Sequence, residues 1–85
     1  MFTKKFLEMG KKIETIHESE TDMLDSLKKT VQTASLSDTD KDYLFDFINA
    51  KKEYSKIKKI KSDDESAYLL AADRLDVFRN YFNNN

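Results

Sequence analysis

Hydrophobic positions in the chain recur at alternating steps of four and three residues. Phe2, Phe6, Met9, Ile13 and Ile16 open the sequence in this rhythm, which places them on one stripe of a helix with 3.6 residues per turn. Strand-like alternation fits nowhere as well. The stripe meets Glu20 where the next apolar residue is due, then resumes at Met23 or Leu24, Leu27 and Val31. The helix therefore either ends near Ser19 or kinks there. A continuous helix from Thr3 to Ala34 would extend about 48 Å and overhang the helices that follow. Two shorter pieces are the favoured reading, although neither Gly nor Pro stands at the break.

A further helix opens at Ser37, whose hydroxyl suits an N-cap, with Asp38 and Asp40 in the first turn where the helix dipole favours negative charge. Tyr43, Phe47, Ala50, Tyr54 and Ile57 repeat the four-three spacing, and Leu44 and Ile48 broaden the face. This helix is predicted to reach about Ile60, with Lys56, Lys58, Lys59 and Lys61 set against its negative end. Ser62-Asp63-Asp64-Glu65 reads as a capping box, and a last helix follows to about Phe82. Tyr68, Ala71, Leu75, Phe78 and Phe82 form its main stripe, and Leu70, Val77 and Tyr81 a neighbouring one. So wide an arc is expected to touch two other helices. The expected fold is all-α: a small antiparallel helical bundle, four helices being favoured over three with a long first helix. Residues 1–82 make one domain and Asn83 to Asn85 a frayed tail.

Composition reinforces this reading. The 85 residues include one Gly, no Pro, no Cys and no Trp, which leaves few residues for tight β-turns. Without cysteine there are no disulfides and no thiol chemistry, so an apolar core must supply the stability. The longest apolar run, Tyr68 to Ala72, is five residues, whereas about twenty are needed to cross a bilayer. Lysines interrupt the apolar positions of the first thirteen residues, unlike a secretory signal, and a cytoplasmic location is expected.

Candidate chemistry is sparse. His17 is the single histidine and so the one ordinary general base near neutral pH. Glu14-x-x-His17 matches the spacing with which helical bundles hold di-iron pairs, but a second copy of the motif is missing. The zinc-protease pattern begins at His17-Glu18 and fails at Thr21. Asp38, Asp40 and Asp42 imitate the start of a calcium loop, which Tyr43 and Asn49 then break. Gly10 alone cannot build a phosphate-cradling loop. The expectation is a non-enzymatic chain with no cofactor, no metal site and no catalytic residue.

Charge is balanced overall at −1 but uneven locally. Lys51 to Lys61 holds six lysines and one Glu, and Glu14 to Asp25 five acids and no lysine or arginine. The segments are expected to attract one another within a bundle. Alternatively, Lys51, Lys52, Lys56, Lys58, Lys59 and Lys61 form a landing site for an acidic partner, nucleic acid or lipid headgroups. Nucleic acid is disfavoured because Arg74 and Arg79 are the only arginines. Lys4, Lys5, Lys11 and Lys12 flank the first apolar stripe, a pattern that suits a membrane surface, although a buried stripe with solvated lysines is preferred.

Ten aromatics are generous for so short a chain, and Phe45, Leu69 and Tyr81 lie off or at the edge of the core stripes. The leading expectation is a helical interaction module that binds and regulates another protein, with a homodimer as one arrangement and a bacterial or phage source. Phe45, Leu69 and Tyr81 would supply apolar contact, and Lys52, Lys56 and Lys59 electrostatic steering. One alternative is a cytoplasmic bacteriocin-immunity-type protein making peripheral contact at a membrane target. The other is a nucleic-acid-binding accessory protein using Lys51 to Lys61.

Overall fold

A computed structural model of the chain describes residues 3–60 and 65–84. Among these residues the fold is all-helical, with four packed helices: α1 (Lys4–Thr15), α2 (Thr21–Thr33), α3 (Asp38–Ile60) and α4 (Glu65–Asn83). Thr3 caps α1, its hydroxyl accepting from the Phe6 amide at 3.2 Å. Ser37 caps α3, as its position predicts, by accepting from the Asp40 amide at 3.1 Å. Ser62 to Asp64 of the capping box and the Lys61 end of α3 lie outside the described residues. Asn83 still belongs to α4, and the Asn84 amide donates to the Asn80 carbonyl at 3.0 Å.

The break between α1 and α2 falls where the stripe fails, without Gly or Pro. Ile16 turns extended at φ −82°, ψ 126°, and the next four residues bond among themselves. The Glu20 carboxylate accepts from the His17 amide at 3.2 Å, and the Glu20 amide donates to the His17 carbonyl at 2.9 Å. The Ser19 amide donates to His17 Nδ1 at 3.2 Å. Such local side-chain bonds give the backbone an alternative to continuing the helix.

The apolar stripes of α1, α2 and α3 converge as their spacing predicts. Phe6, Met9, Ile13, Ile16, Leu24, Leu27, Val31, Leu44, Phe47 and Ile48 are all buried, and burial of such side chains is the main source of stability in a chain of this size. α4 contributes Leu75, Phe78 and Phe82 to the same core. The Phe47 ring stacks on Phe78 at 5.3 Å and on Phe82 at 5.4 Å between centroids. The Phe82 ring also lies against the α1 backbone at Gly10, in the space a Cβ there would fill.

Three predicted core positions of α4 are exposed, among them Tyr68 of the main stripe at 39%. Leu70 and Val77 do not join the core; they are 70% and 63% exposed. α4 packs on α3 and α1 through Ala71, Leu75, Phe78 and Phe82, which are buried. Leu70 and Val77 point roughly a third of a turn away from that side, where neither partner helix reaches. Among the described residues, no helix is long and apolar enough to cross a membrane.

Candidate interaction surface

Lys51 is not available to a landing site built from the lysine segment. It falls one step along the α3 core face from Phe47 and Ile48, and its side chain is fully buried. Its Nζ donates to the carbonyls of Glu14, at 2.8 Å, and of Ile16, groups that the end of α1 leaves without helical partners. Burial pushes the ammonium below the usual lysine value, and the Glu14 carboxylate partly offsets this.

Three charged or chargeable side chains gather around Glu18, itself buried. Its carboxylate lies 3.5 Å from His17 Nε2, 3.7 Å from Lys58 Nζ and 3.9 Å from the Arg79 guanidinium. Arg79 also reaches Glu14 at 3.2 Å. Burial raises the Glu18 carboxyl, but a hydrogen bond from its own backbone amide and the charges of His17, Lys58 and Arg79 together hold it below its ordinary value. The acidic segment and the lysine segment thus meet around buried Glu18, and Arg79 of α4 joins them.

α1 ends at Thr15, so Glu14 and His17 do not project from one helical face, and the His17 ring is tied to Ser19 at 2.7 Å. Asp38 and Asp40 stand in the first turn of α3. Among the described residues, no group of three or more His, Asp or Glu side chains is placed to hold a metal ion.

The predicted contact residues separate. Lys52 donates to Asp25 of α2 at 2.6 Å, and that bond holds the Asp25 carboxyl below its usual value. Lys56 is exposed and borders an open groove of about 610 Å³ between α2 and α3, with Asn49, Lys52, Asp25 and Glu53. Two lysines balance two carboxylates there, leaving no net attraction for an anion. The side chain of Lys59 is outside the described set. Phe45 and Tyr81 are half-buried and pack on the core cluster; Tyr81 meets Tyr43 at 5.4 Å. The stripe of α1 is buried while Lys4, Lys5, Lys11 and Lys12 are exposed.

Leu69 is 56% exposed and does not stand alone. With Leu70 and Val77 it forms an apolar outer face on α4, interleaved with exposed Asp73, Arg74 and Asp76. At 1.5 Å per residue this face is about 12 Å long, two helical turns. Sequence reasoning found Leu69 but assigned Leu70 and Val77 to the core. The available signal was the charge at Asp73 and Arg74, which interrupts the Leu70–Val77 stripe at the step where a core residue is due. Tyr68, at the amino-terminal end, is tied inward by a 2.9 Å hydroxyl contact to Tyr54, which pushes the Tyr54 hydroxyl up to about 12.

Comparison with protein-family models, with curated proteins and with solved structures gives no significant match to this chain.

Proposed function

We propose that this chain is a non-enzymatic helical interaction module that binds and regulates another protein through the outer face of α4. The observation that carries this reading is the exposure of Leu69, Leu70 and Val77 on a helix whose opposite side closes the core with Leu75, Phe78 and Phe82. Exposed apolar residues scattered singly need no explanation, whereas three within two helical turns, bordered by charge, match the composition of a protein-binding patch. The short connections between α1 and α2 and between α2 and α3 favour an antiparallel, up-and-down bundle as the scaffold. The absence of cysteine suits a cytoplasmic setting. The lysine segment offers less to a partner, because Lys51 is buried, Lys52 is paired with Asp25 and Lys58 faces Glu18.

A photoreactive amino acid placed at Val77, in cells that express the protein, tests the proposal. The expected result is a covalent adduct with one protein, absent when the same group is placed at exposed Asp42 of α3. Failure to form an adduct at Val77, or the same products from both positions, would overturn it.

A further inference from the structure

We infer that the break between α1 and α2 is a latch closed by Lys51 of α3, and that its release joins the two helices into one and exchanges α1 between two copies of the chain. A helix running through the break would send the Glu18 amide to the Glu14 carbonyl and the Glu20 amide to the Ile16 carbonyl. The Nζ of Lys51 holds both of those carbonyls instead. The displaced amides are satisfied nearby, that of Glu18 by its own carboxylate and that of Glu20 by the His17 carbonyl at 2.9 Å. Lys58 and Arg79 hold the Glu18 carboxylate in turn. Neither Gly nor Pro stands between Thr15 and Thr21, so the residues of the break are themselves compatible with helix.

The two apolar stripes are in phase across the break. Ile13 and Leu24, both buried, are about three whole helical turns apart, so a straight helix would carry both stripes on one side. From Lys4 to Thr33 that helix would be about 45 Å long, against about 35 Å for α3. In the closed chain α1 and α2 instead return to the same end of α3: the Phe6 ring lies 5.8 Å from that of Tyr43, and Lys41 reaches the Gln32 carbonyl at 3.0 Å. Straightening lifts α1 from its own α3 and α4, and the same pair of helices in a second copy offers the surface it left. Each copy thereby regains its core, so the balance between the two forms rests on the break itself. Lys51 favours the closed form, because straightening takes both acceptors away from a buried ammonium.

The test uses the full chain, which has no cysteine of its own, with Lys5→Cys and Lys29→Cys at exposed positions of α1 and α2 to carry spin labels. Labelled chains are diluted with unlabelled chains of the same variant, so the measured distance lies within one chain, and light scattering over a concentration series gives the mass. The closed form places the labels within about 20 Å, the width of two helices, and the straight helix about 36 Å apart. The wild type is expected to be a monomer with the short distance. Lys51→Met leaves the two carbonyls to the helix amides, and is expected to form a dimer with the long distance, its dissociation constant lower than that of the wild type by about tenfold or more. His17→Ala/Ser19→Ala removes side-chain bonds of the break and is expected to shift the same way; it decides the matter if circular dichroism shows Lys51→Met unfolded. Adding Thr21→Pro, acceptable in the first turn of α2 but not inside a continuous helix, is expected to return either variant to the closed monomer. A folded variant that stays monomeric with the short distance, a dimer that keeps the short distance, or a dimer that persists with Thr21→Pro would overturn the inference.

Discussion

Lys51 of α3 donates its ammonium hydrogens to the Glu14 carbonyl, 2.8 Å away, and thereby ends a helix to which it does not belong. The Ile16 carbonyl is its second acceptor. Substituting methionine keeps an unbranched side chain, one heavy atom shorter, and removes the cost of burying a charge, but leaves two carbonyls unpaired at the end of α1. Lys51→Met is expected to destabilise the chain by about 1–3 kcal/mol. Because burial keeps Lys51 below its ordinary 10.5 in the folded chain, the unfolded chain holds that proton more tightly. The Lys51 contribution therefore makes stability climb as pH rises from the folded value toward 10.5. Urea titrations of the wild type and the variant at several alkaline pH values measure both effects: the difference between them should widen with pH.

Glu18 contributes to the acid side. Its carboxyl sits below the ordinary 4.5 in the folded chain, so on acidification the unfolded chain takes up the proton first. Its stabilisation is complete above 4.5 and disappears as pH falls through the folded value. Glu18→Gln should lower stability by about 1–2 kcal/mol at neutral pH and flatten the acid limb of the stability profile. An acid limb identical to that of the wild type would mean that Glu18 is not the group responsible.

Gly10 permits the approach of α1 to α4. An alanine Cβ would occupy the position of the Phe82 ring, which is held by Phe6 and Phe47. Alanine favours an isolated helix by up to about 1 kcal/mol over glycine, yet Gly10→Ala is expected to destabilise by about 1–3 kcal/mol through overpacking. Thermal unfolding followed by circular dichroism gives the sign directly.

Ser37 tests the cap at the start of α3. Ser37→Ala removes the acceptor of the Asp40 amide and should cost about 1 kcal/mol. Ser37→Asp should retain most of the stability, since aspartate accepts the same bond.

Much of the fold was legible because periodicity reports which residues share a helix face. Phe6, Met9, Ile13, Leu27, Leu44 and Phe47 were placed in the core by spacing alone, and Ser37 by local capping chemistry. The stop after Thr15 was legible only as a missing apolar step at Glu20. Its cause includes Lys51, thirty-five residues from Ile16, and no local pattern encodes such a contact. Lys51 itself read as one of six lysines of a single basic segment, although it shares a face with Leu44, Phe47 and Ile48. The outer face of α4 was half legible: spacing identified Leu70 and Val77 as a stripe but not how many helices would cover it. That number depends on how α1 and α3 sit together on the other side.

The central claim is that the bundle is complete without the outer face of α4, which leaves Leu70 and Val77 free for a partner. Equilibrium unfolding of Leu70→Gln/Val77→Gln beside Leu75→Ala tests it most directly. Leu75 is 1% exposed, and its truncation should cost about 2–5 kcal/mol. The double variant should keep the wild-type unfolding free energy to within about 0.5 kcal/mol. A loss in the double variant as large as that of Leu75→Ala would place the face in the folding core and contradict the account.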